Sequence, residues 1–323
     1  MPNSPGFFQR KAPDKITKKL ATVLVKTANK ETLTVTPVLY YHIPEVISMD
    51  KQYILNTKLL DDQIGIFYLG QMGFLLKYAE KYILIDGYLS DYVDRKYGAG
   101  KVKWVRRYNT PISPTELDFV DYVFCTHAHS DHADPDTLSN ILSINAKAQF
   151  VVSAAIANKI AGYGIPADRI TGMVCDVKMQ LEDQIWVTAI PAAHEQLHTD
   201  ENGNYMEVGF RFELGRTSVY HAGDCCPYDG LAQRVQGCDV MILPVNGRDY
   251  YRTQVCNIIG CFTAREAALL TKDAGAGLLI PAHFDLYDVN CINPAEFVDT
   301  LKTVDPYQRF HIFAPGERYI YAN

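Results

Sequence analysis

Thr126-His127-Ala128-His129-Ser130-Asp131-His132 sets three imidazoles and a carboxylate within six consecutive positions. Immediately before it stands Phe119-Val120-Asp121-Tyr122-Val123-Phe124, an apolar run that reads as a buried strand. A strand ending in such a cluster presents nitrogen and oxygen donors from one turn, and neutral imidazole with carboxylate suits zinc, manganese or iron. His127 and His129 can point the same way, while Asp131 and His132 lie round the bend and can face a second ion. Solvated loop histidines are the plain alternative, and so many ligand-type residues in so short a span argues against it.

Three more strand ends carry the same kinds of residue. The run Ile185 to Ile190 leads through Pro191-Ala192-Ala193 to His194, which is read as a third histidine for the first metal. His194-Glu195-Gln196-Leu197-His198 also satisfies the His-Glu-x-x-His pattern of zinc proteases, but that motif needs a helix. A β run with Pro191 before it and the turn-rich stretch 199–204 after it leave no room for one, so His198 is left as a pocket or surface residue. Ser218 to Tyr220 ends in His221-Ala222-Gly223-Asp224; the glycine keeps side chains away from the carboxylate, which suits an oxygen bridging two cations. Asp224 is the expected bridge, with a turn aspartate as the alternative, and His221 is expected to support rather than ligate. Gly277 to Ala282 delivers the last ligand, His283.

Composition bounds the partners. The chain has 323 residues, 48% hydrophobic and 21% charged, with a formal charge of −6, which describes an ordinary globule and argues against general nucleic-acid binding. A small anionic substrate must then be gripped by local positive charge. Eight scattered cysteines without paired spacing, and no secretory signal, point to reduced thiols in a cytoplasm. No apolar run approaches the length of a membrane helix, so no membrane partner is expected. A homo-oligomer is left open.

The rest of the chain places these motifs. Residues 1–48 are Lys-rich, with strand-like patches at 32–35 and 38–41; they read either as an extension preceding a hydrolase domain of 49–323 or as an edge hairpin packed on it. From Ile64, three short β runs suggest a meander whose third run closes at Asp86. Between Tyr88 and Asp118 lies a long loop or insertion, a candidate lid, with Lys101, Lys103, Arg106 and Arg107. Pro135 to Asn145 reads as a helix behind Asp134, Gln149 to Val152 as a strand, and Ala154 to Ala161 as a helix stopped by Gly162-Tyr163-Gly164. Met206 to Leu214 and Asp239 to Val245 are further strands, Ala264 to Lys272 and 293–303 helices, and the ends near Phe310 and Tyr319 terminal strands.

His-x-His-x-Asp-His after a strand resembles the metallo-β-lactamase superfamily. That resemblance implies an α/β fold, the four-layer αββα sandwich, with a dinuclear site along one edge. It also implies that Asp86 supports the site from behind the ligands; a simple turn aspartate is the alternative. Phe67-Tyr68-Leu69-Gly70, Gly162-Tyr163-Gly164-Ile165-Pro166, His221-Ala222-Gly223-Asp224 and Ile280-Pro281-Ala282-His283 together resemble the L-ascorbate-6-phosphate lactonase-like branch, over about residues 65 to 290. His194 departs from that branch, where an aspartate is expected.

The collected set places His127, His129 and His194 on one metal, Asp131, His132 and His283 on the other, and Asp224 between them, with no thiolate. Two cations about 3.5 to 4 Å apart share a water and lower its pKa, which implies hydrolysis, with Asp131 and Asp224 as the catalytic acids. The lactonase resemblance tilts the two divalent ions toward manganese, with zinc open. The loop Asn246-Gly247-Arg248-Asp249-Tyr250-Tyr251-Arg252 is the expected substrate grip, Arg248 and Arg252 offering paired hydrogen bonds to an anion and Asn246, Tyr250 and Tyr251 polar or ring contacts. A surface bridge from Arg248 to Asp249 or a neighbouring acid is the alternative. A lactone is the expected substrate and a phosphodiester the runner-up. A ribonuclease-type member would need an inserted domain that the interval between Asp224 and His283 cannot hold, and a metal-bound sensor would not need so complete a ligand set.

Overall fold

Along β1 (Ile64–Gly70) every residue is buried, yet alternate side chains enter different clusters. Ile64, Ile66 and Tyr68 join one apolar core, and Phe67 and Leu69 join another. A strand covered on both faces belongs to a sheet held between helices and a second sheet. The computed structural model describes residues 46–323, so most of 1–48, with its strand-like patches, lies outside the described residues.

The first sheet is the expected meander extended by parallel strands. β1 pairs antiparallel with β2 (Gly73–Tyr78), and β2 with β3 (Lys81–Ile85). β4 (Tyr122–Cys125), β5 (Gln149–Ser153) and β6 (Ile170–Met173) then follow in parallel. The second sheet runs in chain order through β7 (Lys178–Glu182), β8 (Ile185–Pro191), β9 (Val208–Leu214), β10 (Thr217–His221), β11 (Val240–Pro244), β12 (Leu278–Ala282) and β13 (Arg309–Phe310). β14 (Arg318–Tyr321) returns to the free edge of β1.

The inner faces meet in the first core, where Phe124 of β4 stacks edge-on against Phe210 and Phe212 of β9 at 4.9 and 5.0 Å. Outside the first sheet, Leu138 and Ile141 of α3 (Pro135–Ile144) and Ile160 of α4 (Ala157–Ala161) cover Phe150 and Val152. Outside the second, α6 (Ala264–Ala274) and α7 (Pro294–Val304) bury Ala267, Ala268, Phe297 and Leu301. Short α1 (Lys51–Leu55), α2 (Tyr92–Tyr97) and α5 (Leu231–Arg234) complete the helices. The result is the αββα sandwich. The long helices start where local chemistry allows. Asp134 accepts from the Asp136 amide with Pro135 in the first turn, and Thr263 and Glu266 form a reciprocal capping box on α6.

Some elements differ from the expectation. β4 starts at Tyr122, because Asp121 turns its carboxylate to the Tyr82 amide (2.9 Å) and Asn145 holds the carbonyl of Val120 (2.7 Å). β6 and β7 carry mixed, half-exposed residues and lack a clean apolar signal. The 88–118 segment is packed rather than loose. Tyr88 and Tyr108 are buried in a cluster with Leu286 and Tyr287, Arg106 lies over the Tyr88 ring at 4.6 Å, and Arg107 pairs with Asp288 at 3.1 Å. Packing also begins before Met49: the Ile47 amide donates to Pro315 O at 3.0 Å.

Candidate metal centre

The parallel strands of both sheets release their chains along one edge, the place where open α/β sheets collect ligands. β3 ends in Asp86, β4 in the 126–132 turn, β8 in His194, β10 in Asp224 and β12 in His283. Several of these exits need unusual backbone. Asp86, Glu195 and His283 have φ of 47°, 65° and 61°, and so does Gln71 at 59° in the β1–β2 turn. Such left-handed turns in non-glycine residues persist where the surroundings over-determine them. At Gly223 (φ 61°) a Cβ would stand 2.7 Å from the Cβ of Thr126, so only glycine lets Asp224 approach the histidine turn.

The structure brings all seven expected ligands together. Ligand atoms of His127, His129, His194 and Asp224 form one group, and those of Asp131, His132 and His283 another, each within 4.8 Å of one another. Asp224 stands between them. Its Oδ2 faces His194 Nε2 at 3.6 Å and His127 Nε2 at 4.0 Å, while its Oδ1 faces His283 Nε2 at 3.2 Å and His132 Nε2 at 3.4 Å. His129 is exposed and Asp131 half-buried, so the cluster opens to solvent on that side, while the other ligands are buried.

Groups behind the ligands orient them. Asp86 accepts from His132 Nδ1 at 2.7 Å and also from the Thr126 amide (2.8 Å) and hydroxyl (2.7 Å). Thr126 Oγ1 in turn meets His127 Nδ1 at 3.1 Å. His221 is buried with Nε2 on Met72 O at 2.8 Å and Nδ1 accepting from the Gly223 amide at 3.2 Å, so it shapes the turn that presents Asp224.

Buried polar atoms test whether this set fits a cation. His132 Nε2 and Asp224 Oδ1 face each other without a hydrogen bond, and His194 Nδ1 is also without a partner. With His132 Nδ1 turned to Asp86, its Nε2 and the Asp224 oxygen meet in a dry place, a position that a divalent cation would satisfy. The charges agree. Burial holds His127 well below the usual imidazole range and brings His194 down to about 4, so both are neutral ligands near pH 7. Burial opposes charge on His132 as well, but Asp224, Asp131 and Asp86 outweigh it and hold that ring protonated until a cation replaces the proton. Asp224 is kept ionised by His283 and His132 against the opposing effect of burial.

Some expected residues have protein partners of their own. Asn246 is fully buried and donates from Nδ2 to Asn290 Oδ1 at 2.9 Å, and Asn290 Nδ2 lies 3.4 Å from His283 Nδ1, so Asn246 acts behind a ligand. The grip expected of Arg248 and Arg252 meets a different geometry. Arg248 donates to Cys261 O (2.5 Å) and Glu266 (2.6 Å), and Arg252 to Val289 O (3.1 Å), Asn246 O (2.7 Å) and Asp249 (2.6 Å). Both guanidiniums brace the loop. Tyr250 and Tyr251 are exposed where a single π-turn, Tyr251–Val255, begins. No helix forms over 194–198, and His198 pairs at the surface with Glu207 at 3.3 Å.

Three residues at the site carry no sequence signal. Gln71 Nε2 stands 2.9 Å from Asp131 Oδ2 and 3.0 Å from His283 Nε2, and its carbonyl accepts from the His283 amide at 2.8 Å. Asn290 is the second. Cys261 is the third, with its sulfur grouped with Asp224 and His283.

A sandwich with this ligand-bearing edge defines a class, and sequence comparison agrees with it. Residues 81–284 match the beta-lactamase superfamily domain, and the chain belongs to the metallo-β-lactamase superfamily. Within it, the chain is similar to metal-dependent hydrolases of the UPF0173 group. It is 30% identical over 220 residues to the one from Hyperthermus butylicus, covering 65% of this chain and 86% of that protein. It is 26% identical over 253 residues to the one from Caldivirga maquilingensis, covering 77% of this chain and 95% of that protein. Among solved structures, Igni18, a metallo hydrolase from Ignicoccus hospitalis, superposes with a TM-score of 0.60 at 19% identity, over 81% of this chain and 99% of that one. The protein is a metal-dependent hydrolase of this fold.

Proposed function

We propose that this hydrolase is dinuclear and opens a small anionic cyclic ester, a lactone of the phosphorylated-sugar kind. The observation that carries the two-cation reading is the split of Asp224, one carboxylate oxygen toward each group of ligands. Manganese or zinc, held by His127, His129 and His194 on one side and Asp131, His132 and His283 on the other, would supply Lewis acidity and a water of lowered pKa. The chain's own part is orientation. Asp86 and Asn290 hold the rings of His132 and His283, Gln71 donates to Asp131, whose carboxyl is kept ionised against burial by His132 and His283, and the open side at His129 and Asp131 admits substrate.

The lactone reading is supported by the branch-like segments around Tyr68, Gly164, Asp224 and His283. Eight free cysteines are in keeping with a reducing compartment. No helix among the described residues is long and apolar enough to cross a membrane. Elemental analysis of protein purified without added metal, paired with a panel of lactones and phosphodiesters, tests the proposal. Two metals per chain and lactone turnover that disappears in Asp224→Ala are expected. Turnover of phosphodiesters alone would replace the lactone with the runner-up substrate.

A further inference from the structure

Asp224, Cys261 and His283 present a carboxylate oxygen, a sulfur and a ring nitrogen within 4.8 Å of one another. All three residues are buried, Cys261 at 1% exposure. A sulfur in such company matters only if the backbone holds it there, and it is held from several directions. Gly260 touches the 247 backbone so closely that a Cβ on it would stand 1.9 Å from Gly247 O. The Gly247 amide donates to Phe262 O at 3.0 Å, the Phe262 amide to Cys225 O at 3.1 Å, and Arg248 to the carbonyl of Cys261 itself at 2.5 Å. Two residues after Cys261, Thr263 opens the capped helix α6.

A second observation points from the sulfur to a ligand. Asp224 Oδ1, buried and without a hydrogen-bond partner, lies 3.2 Å from His283 Nε2. An unpaired oxygen, an imidazole nitrogen and a thiol sulfur around one point make a mixed donor set that a divalent cation satisfies. The neighbouring thiols are engaged elsewhere. Cys225 Sγ donates to Cys226 O and Cys226 Sγ to Gly260 O, both at 3.3 Å.

We propose that Cys261 is a ligand of the second cation, its sulfur binding as thiolate beside Asp224 and His283 and its proton leaving to solvent. The proposal rests on the two-cation reading and deepens it. A soft sulfur donor shifts that position's preference from manganese toward zinc and other thiophilic ions. It also gives Arg248 a positioning role: through the Cys261 carbonyl and Glu266 it fixes the segment that carries the sulfur.

The experiment loads the full-length, metal-free protein with cobalt(II) alone and reads bound metal together with the near-ultraviolet spectrum. Two cobalt ions per chain and a sulfur-to-cobalt charge-transfer band are expected, with the band kept in Cys226→Ser and lost in Cys261→Ser. Zinc affinity at the weaker position should fall in Cys261→Ser by at least the ~10–100-fold that loss of an outer partner costs, and manganese affinity far less. Two bound cobalt ions without the band in the wild-type chain overturn the ligand and leave the dinuclear reading standing, whether or not the variants fold. A band that survives in Cys261→Ser overturns it equally. One cobalt ion with a Cys261-dependent band keeps the sulfur and removes the pair, and one without any band removes both.

Discussion

His132 turns its Nδ1 to the Asp86 carboxylate at 2.7 Å, and that contact decides which ring nitrogen faces Asp224 and Asp131. Asp86 also takes both donors of Thr126, so one carboxylate orients His132 and anchors the residue that meets His127. Asp86→Ala should lower the affinity of the second metal position by about 10–100-fold. It should also cost about 1–3 kcal/mol for each Thr126 donor left buried and unpaired. Isothermal titration with zinc and urea unfolding measure the two effects separately; unchanged affinity would show that His132 needs no orienting partner.

On the proposed two-cation reading, Asp224 is the shared ligand. Asp224→Ala should reduce bound metal from two ions to no more than one while leaving the far-ultraviolet dichroism intact, because the cores that hold the sheets are apolar and do not include Asp224 itself. Full occupancy by two ions in this variant counts against the bridge.

The loop guanidiniums are braces, so Arg248→Ala should act on stability first. Loss of the paired contact with Glu266 should lower the unfolding free energy by about 1–3 kcal/mol. Its effect on KM should be alike for a phosphorylated lactone and its unphosphorylated analogue. A KM increase confined to the phosphorylated compound would restore the anion grip.

The pH dependence of the metal-free protein follows from the signs of the histidine shifts. His127, His194 and His221 are held below the usual imidazole range by burial, His194 at about 4. Below about pH 6.5 the unfolded chain therefore binds more protons at these positions, and stability falls as pH drops from there toward 4. His132 is raised by its three carboxylate neighbours despite burial, so its contribution is present below about 6.5 and fades as pH rises above it. Urea midpoints measured from pH 4 to 9 should peak near the ordinary imidazole pKa, with slopes of at most about 1.4 kcal/mol per pH unit for each group. A monotonic profile would contradict these assignments.

A chain shortened to begin at residue 46 should fold and bind metal, since Ile47 and Met49 still make their contacts with Pro315 and Pro111. Starting at Met49 removes the Ile47 bond to Pro315 and uncovers Gly316, where a Cβ would stand only 1.7 Å from the Ile47 carbonyl oxygen. The shorter chain should melt at a lower temperature than the one beginning at 46.

The sequence was most legible where chemistry is local. Four donors stand together at 127–132, and Asp224 and His283 each follow an apolar run, so strand ends and ligand types could be read side by side. Gln71, Asn290 and Cys261 could not be read this way. They sit in turns that become neighbours of the ligands only when the sheets pack, and an amide or a solitary cysteine in a loop has no pattern of its own. The 246–252 loop differs for a related reason: arginines beside tyrosines read as an anion grip, and only the packed structure brings the carbonyls of Val289 and Asn246 and the acid of Glu266 against them. β6 and β7 escaped notice because half-exposed edge strands lack the alternation that marks covered ones.

The ligands of each expected cation come from both sheets: His127, His129, Asp131 and His132 from the first, His194, Asp224 and His283 from the second. Any ion held by such a set is a cross-link between the two halves of the sandwich, and neither half can form it alone. Binding to the docked state and not to separated sheets adds RT ln(1 + [L]/Kd), about 4.1 kcal/mol at a free concentration a thousand times Kd. On the proposed reading the ligand-bearing edge is also a clasp, and chelators should loosen the seam between the sheets before they disturb either sheet itself.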